Sequence, residues 1–546
     1  MQLYKQFCTE EFDNDNTLKS FKLKFEDNYN FGYDVLDQMA EKAPNDIALV
    51  WTNPEGEERI FTFADLSRLS NKAANVFLKY GIKKGDRVLL MLKRNYEYWY
   101  IVTALHKLGV VAIPATNMLT AEDISYRVNV ANIKMAVCTP DSDTVENILQ
   151  AKNKENSLKT VFVARKDFDG TVNITKEIES AGAELERVET KATEPMLIYF
   201  TSGTTGYPKA VVHNHIYSLC HIISAKYWQN VKEGGLHFSI AETGWAKASY
   251  GKIYGQWLCG CAVMAFDFEK FSPSKILKVI EKFKVTSFCA PPTAYRYFVK
   301  KGMQMYDLSS LEYLTTAGEA LNPIVAEAVY QQTGLHPMEG YGQSETTLLI
   351  ANLNGTHGKT GSIGKPSPMY DIRLVDSDGN EVKQGETGEI VVIPPKDRKQ
   401  YGIFTNYIGD EQMYQYAWRK GMYHTNDTAY MDEDGYYWYV GRADDLIKTR
   451  GYRVGPFEIE NVLMKHPAVL ECAVIGVPDE SRGQAIKAII KTVDGCDADK
   501  NLVNDIKVFS NKRLASYKWI QYIEFTDEMP KTISGKIKRV ALKANA

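Results

Sequence analysis

Up to about residue 440 the chain alternates short apolar runs with amphipathic helical stretches, which confines it to the α/β class. After Phe63, the residues Leu66, Leu69, Ala73, Phe77 and Leu78 read as one helical face. Lys84-Gly85-Asp86 then turns the chain into the strand-like run Arg87 to Met91. Comparable units recur, with helical Tyr96 to Lys107 before Val110 to Ile113, and Lys275 to Phe283 before Thr286 to Cys289. A chain of 546 residues exceeds what one core usually holds. A boundary is expected at Gly441-Arg-Ala-Asp-Asp-Leu-Ile-Lys448, just after Asp434-Gly435, which reads as a hairpin turn between Tyr423-His-Thr and Tyr436 to Val440. Residues 1–441 would form a large body of stacked α/β subdomains, and residues 442–546 a small, mobile α+β lid. In the lid a helix is expected from about Pro456, strands at Cys472 to Val477 and Ala485 to Ile490, and a second helix over Leu502 to Leu514.

Charge excludes some partners. With 65 basic against 68 acidic residues the net charge is -3, which leaves no footprint for nucleic acid or for a membrane surface. The most apolar long stretch, near Tyr98 to Ala115, is broken by His106 and Lys107 and is too short to span a bilayer. The N-terminal residues are acidic early and do not read as a signal peptide. The eight cysteines are scattered through apolar runs, and Cys259-x-Cys261 has no second ligand pair, so a structural role in a reducing compartment, the cytoplasm, is expected.

The strongest chemical signal is Tyr199-Phe-Thr-Ser-Gly-Thr-Thr-Gly-Tyr-Pro-Lys209, entered by the apolar run Met196 to Phe200 and left by Ala210 to Val212. Glycines let backbone N–H groups approach phosphate oxygens, hydroxyls add donors, and the lysine adds charge. The spacing is not that of a Walker A loop. Taken alone, the segment could also be a flexible polar hairpin. It is followed in order by Ala317-Gly-Glu-Ala-Leu321, Glu339-Gly-Tyr-Gly-Gln-Ser-Glu-Thr346, Tyr423-His-Thr-Asn-Asp427, Gly441-Arg-Ala-Asp444 and Pro530-Lys-Thr-Ile-Ser-Gly-Lys536.

This ordered set resembles the signature series of the adenylate-forming superfamily, which holds acyl-CoA synthetases, peptide-synthetase adenylation domains and firefly luciferase. The likeness runs from about Phe61 to the C-terminus. Its wording is most similar to medium-chain and short branched-chain acyl-CoA synthetases, through phrases such as Thr243-Gly-Trp-Ala-Lys247, Gly402-Ile-Phe404, Gly451-Tyr-Arg-Val-Gly-Pro456 and Ser516-Tyr-Lys518. The resemblance implies an AMP-forming acyl-CoA synthetase that joins a small carboxylic acid to coenzyme A through an acyl-adenylate, using ATP and Mg²⁺. An acetyl-CoA or aryl-CoA synthetase, a carrier-protein-loading adenylation enzyme and a luciferase-like oxygenase share the first half-reaction and stay open as alternatives.

The resemblance also assigns roles. Thr201, Ser202, Gly203, Thr204, Thr205, Gly206 and Lys209 would hold the β- and γ-phosphates, with Thr201 also counted as catalytic. Gly318, Glu319 and Tyr341 would line the adenine slot, and Glu339, Gly340, Gly342, Gln343 and Ser344 would complete the nucleotide site. Glu345 would bind Mg²⁺, for which a carboxylate is the preferred hard ligand. Asp427, assisted by Arg442, would accept hydrogen bonds from the ribose, and Arg453 would contact phosphate. Lys536 would meet the charge that develops between carboxylate and α-phosphate, the usual largest source of rate enhancement. Asp444 matches a hinge about which the lid turns between half-reactions. Arg450, Gly451 and Tyr452, with Arg482, Tyr517 and Lys518, would then contact coenzyme A.

Asn426 stands where the family usually has glycine, and asparagine is among the side chains best able to take positive φ. In the acyl pocket, Trp245 is either a mobile gate or a core residue, Lys247 a buried anchor or a surface cation, and Tyr250 a far wall or a core tyrosine. At Gly342 acetate-specific relatives carry a tryptophan, so a longer channel is expected here, for acids of about four to eight carbons.

Overall fold

The computed structural model describes all residues except 202–207, 320, 357, 397–399, 451, 494, 532–536 and 545–546, together with the side chain of 453. Contacts group the chain into two units, Met1–Asp371 with Pro394–Trp418, and Ile372–Ile393 with Arg419–Ala546.

The first unit contains two large sheets. One has eight strands, running Asn406–Ile408, Lys209–Asn214, Pro195–Thr201, Val111–Pro114, Arg87–Met91, Met135–Cys138, Thr160–Val163 and Val172–Asn173. The other has nine. Its centre is the parallel series Pro337–Tyr341, Tyr313–Ala317, Ser287–Cys289, Leu236–Ser239, Ala262–Phe266 and Ile47–Thr52. Parallel strands are covered on both faces, which explains why Met135–Cys138 and Ala262–Phe266 are apolar without alternation.

Helix Phe63–Lys79 starts at a capping box between Thr62 and Asp65 and buries Phe63, Leu66, Ala73, Ala74, Val76 and Phe77. Leu78, expected on this face, is instead 45% exposed, because it sits about 100° round the helix from Phe77. Helix Glu97–Lys107 is buried on every side, and its polar residues survive there by pairing. Glu97 takes a bidentate contact from Arg165, and the Lys107 ammonium meets Asp37 and Asn71, each at 2.6 Å. The His106 imidazole meets the Tyr254 hydroxyl at 2.9 Å. Among the described residues no helix is long and apolar enough to cross a membrane. All eight cysteines are free thiols, seven of them buried, and no described cluster of three His, Cys, Asp or Glu could hold a metal ion.

The second unit holds the expected hairpin between Tyr423–Met431 and Tyr437–Arg442, within a four-stranded sheet. A five-stranded sheet is built on the long hairpin Val469–Asp479 and Gly483–Thr492. Helices Pro456–Leu463 and Lys500–Asn511 pack on it around Ile459, Val474, Ile486, Ile490 and Ile506. The division between the units therefore falls earlier in the chain than residue 441, the position expected from the sequence. The reason is local packing. The Tyr439 ring meets Phe457 at 6.2 Å, and a Cβ on Gly455 would lie 2.5 Å from the Val440 side chain and carbonyl.

Candidate active site

The segment expected to hold phosphates is flanked by an antiparallel pair in which Thr201 and Lys209 stand opposite each other. Tyr126 steadies the exit, its hydroxyl donating to the Pro208 carbonyl at 3.1 Å. Ser202, Gly203, Thr204, Thr205 and Gly206 lie outside the described residues. The Lys209 ammonium sits 5.6 Å from the ring centroid of Tyr407, on the neighbouring strand.

The adenine slot was expected at Gly318, Glu319 and Tyr341. Gly318 and Tyr341 follow or end adjacent parallel strands at their carboxyl ends, where open α/β sheets bind ligands. Gly318 is exposed with φ +97°, and a Cβ there would have only the Lys247 ammonium nearby, at 3.7 Å. Lys247 donates to the Ala317 carbonyl at 2.5 Å and is half-buried, so it is an anchor of this loop. Glu319 accepts from the Thr293 hydroxyl at 2.8 Å.

Two residues of the next motif act from behind. Glu339 is 4% exposed and accepts the Leu321 N–H at 2.9 Å. Burial pushes its carboxyl up to about 8, against the opposing pull of the N–H groups of Leu321 and Gly361. It joins strand Pro337–Tyr341 to the loop after Ala317. A Cβ on Gly340 would lie 2.5 Å from the Trp228 indole, so that glycine serves packing.

The segment 342–347 is pinned by side chains distant in sequence. His213, 131 residues away, donates from Nε2 to the Ser344 carbonyl at 2.7 Å, and its ring stacks on Tyr217 at 3.9 Å. A carbonyl only accepts, so Nε2 carries the proton. The Tyr250 hydroxyl lies 2.6 Å from the Thr346 carbonyl and 3.2 Å from that of Gln343. The Gln343 N–H donates to the Thr346 hydroxyl at 3.0 Å. The Tyr407 hydroxyl donates to Glu345 Oε1 at 2.9 Å, while the Phe404 N–H donates to the Glu345 carbonyl at 2.7 Å.

The space a side chain on Gly342 would enter is filled by this packing. A side chain begun there would meet the Thr347 carbonyl oxygen at 2.6 Å and the Tyr250 hydroxyl at 2.8 Å. The Tyr250 hydroxyl is therefore fixed directly beside Gly342. Trp245 is half-buried rather than part of the core.

In the second unit Asp427 is buried, accepts from the Tyr439 hydroxyl at 3.0 Å and stands opposite Arg442 across the hairpin. The Arg442 guanidinium lies 3.9 Å from Asp427 and 3.3 Å from Asp444, which is exposed. Asn426 takes φ +56°, as its place in a glycine position requires. Arg450 also takes positive φ, +50°, and its N–H donates to the Arg482 carbonyl. Tyr452, 52% exposed, stacks on Tyr517 with centroids 4.3 Å apart and planes 17° from parallel. The Lys518 ammonium meets both oxygens of Glu458 at 2.6 Å. Burial works against its charge, but Glu458 holds its titration above the ordinary value. Gly451 and Lys536 lie outside the described residues, as does the side chain of Arg453.

Sequence reasoning passed over His213, Tyr407 and Tyr439. The signal for Tyr407 was within reach, three residues past Gly402-Ile-Phe404. His213 lies one residue before the end of strand Lys209–Asn214, which follows the glycine- and hydroxyl-rich segment.

Residues 36–401 match the family described as AMP-binding enzyme, and residues 458–536 match the AMP-binding enzyme C-terminal domain. The chain is 37% identical over 550 residues to the human mitochondrial acyl-coenzyme A synthetase ACSM3, spanning 98% of this chain and 92% of that protein. It is 38% identical over 519 residues to 4-hydroxybutyrate--CoA ligase 1 of Metallosphaera sedula, spanning 94% and 90%. Among solved structures, the anthranilate CoA ligase AuaEII in complex with anthranoyl-AMP superposes with a TM-score of 0.87 at 28% identity, covering 96% of this chain and 98% of that one. A Brucella canis acyl-CoA synthetase gives 0.73 at 27% identity, covering 95% and 94%. With family models spanning most of its length and relatives this similar over nearly all of it, the chain belongs to the AMP-binding enzyme family and is an AMP-forming acid–coenzyme A ligase.

Proposed function

We propose that the enzyme activates short- to medium-chain or branched aliphatic acids, of about four to eight carbons, at a site walled by Trp245 and Tyr250. The observation that carries this reading is the Tyr250 hydroxyl fixed to the segment 343–346, 2.8 Å from where a Gly342 side chain would begin. An acyl chain then gains about 0.8 kcal/mol per buried methylene, roughly a fourfold preference, only until it meets that ring. The ionised carboxylate attacks the α-phosphorus and diphosphate leaves. The thiol of coenzyme A then attacks the acyl carbonyl and AMP leaves. Neither attack on phosphorus nor departure of diphosphate requires a protein base.

The residues present fit Mg²⁺. Glu345 offers a hard, half-exposed carboxylate already oriented by Tyr407, and phosphate oxygens and water would supply the remaining ligands. When bound, the ion neutralises triphosphate charge. Lys209 and Thr201 would hold the phosphates, Asp427 and Arg442 the ribose, and Lys536 the developing charge. Asp444 would be the pivot of a lid spanning residues 442–546. The stacked pair Tyr452 and Tyr517 offers an exposed aromatic face suited to the adenine of coenzyme A. Arg482 and Lys518 would attract its phosphates. The eight free thiols favour a reducing compartment, which we read as the cytoplasm.

Acid-dependent pyrophosphate exchange across straight, branched and aromatic acids tests the acid assignment. Activity should rise from acetate into the range of about four to eight carbons and then fall, and Tyr250→Ala should move the optimum to longer acids. A parental preference for acetate or for aryl acids, or a chain-length profile unchanged in Tyr250→Ala, would sink it. Gly342→Trp is the poorer lever, because any side chain there must displace the segment that carries Glu345.

A further inference from the structure

We propose that Tyr407 is a positioning residue that holds the metal-binding carboxylate and the phosphate-loop lysine with opposite parts of one side chain. This rests on the reading of Glu345 as the Mg²⁺ ligand and of Lys209 as a phosphate contact. Tyr407 occupies the middle of strand Asn406–Ile408, directly opposite Val211, so its backbone is fixed to the strand that Lys209 begins. Its side chain is buried.

Each partner receives the interaction its charge favours. The phenol O–H donates to Glu345 Oε1 at 2.9 Å, which stabilises the anionic carboxylate and fixes its rotamer. The Lys209 ammonium lies 5.6 Å from the ring centroid, where the negative face of the π-system attracts a cation. Phe404 packs against the Tyr407 ring at 4.4 Å, and its N–H holds the Glu345 main-chain carbonyl. A segment of four residues thus fixes both the backbone and the carboxylate of Glu345, and orients a cation from another motif. The sequence separations are 62 residues to Glu345 and 198 to Lys209 (407 less 209), so no local pattern could have joined them. Partners that orient a metal-binding carboxylate typically change metal affinity or activity by roughly 10–100-fold when removed.

Tyr407→Phe keeps the ring and removes the hydroxyl, whereas Tyr407→Leu removes both. Calorimetric affinity for ATP, with no acid present, should be measured in excess Mg²⁺ and in EDTA. Tyr407→Phe should lose roughly tenfold or more with Mg²⁺ and nothing in EDTA, the unchanged metal-free binding also proving the variant folded. Tyr407→Leu should weaken binding under both conditions. Glu345→Gln separates the proposal from the reading beneath it. If Glu345→Gln loses the Mg²⁺-dependent affinity while Tyr407→Phe keeps it, the positioning role is overturned and the metal ligand stands. If Glu345→Gln also keeps it, Glu345 is not the metal ligand and the proposal falls with that reading.

Discussion

The segment around Glu345 in the first unit and the residues proposed to meet coenzyme A in the second are presented in opposite ways. In the first, segment 342–347 is braced by the buried side chains of His213 and Tyr407 and the half-buried Tyr250, through hydrogen bonds of 2.6 to 3.2 Å. In the second, Tyr452 and Asp444 are exposed, and Lys518 is held by a single carboxylate. A low-dielectric interior strengthens electrostatic contacts and prevents reorganisation during reaction, whereas exposed charge is cheap to move but screened. Chemistry on a phosphate benefits from the first arrangement. A surface proposed to meet a large, charged cofactor and let it go would benefit from the second.

Acid should break this contrast most strongly. His213 and His215 titrate near 4 and His237 near 3, because burial disfavours their charged forms. All three lie in the first unit. The unfolded chain, with imidazoles near 6.5, takes up protons first, so stability is complete above about 6.5 and is lost as pH falls toward 4. The loss is about 1.4 kcal/mol per pH unit for each histidine. Hydrogen exchange at pH 7 and pH 5 should show protection falling in the first unit, around 213–237, well before the sheet of the second. Equal loss in both units would mean that the buried imidazoles are not the acid-sensitive element.

The next largest effect separates the half-reactions. Lys536→Ala should lose acid-dependent pyrophosphate exchange by roughly 10²–10³-fold, the scale for one preorganised electrostatic partner. Conversion of supplied acyl-AMP and coenzyme A to thioester should survive. Parallel loss of both steps would show that the lysine is not confined to the first.

Smallest is the effect at the exposed surface. Arg482→Ala or Lys518→Ala should raise the KM for coenzyme A a few-fold and spare that for ATP, since such groups contribute mainly ground-state binding. The difference should shrink with added salt, because screening acts within about 10 Å at 0.1 M. Lys518 should give the smaller change, as Glu458 already competes for its ammonium. If neither variant alters coenzyme A dependence at any ionic strength, the cofactor docks elsewhere.

Much of this enzyme is legible in its sequence. Alternating apolar runs and amphipathic stretches locate strands such as Arg87–Met91 and helices such as Glu97–Lys107, because side-chain periodicity is set by local backbone geometry. Turn chemistry places Asn426 at positive φ and the Asp434-Gly435 hairpin, again because a few adjacent residues decide such features. The ordered motifs name the family. What adjacent residues do not decide is which members of a motif face the substrate. Gly318 and Gly340 look alike in sequence, yet one is open beside Lys247 and the other is pressed on Trp228. Glu339 and Glu345 share a motif, yet one is buried behind the loop and the other is held half-exposed by Tyr407. These distinctions come from partners 18 to 112 residues away (339 less 321, and 340 less 228), and close packing brings such residues together only once the whole chain has folded.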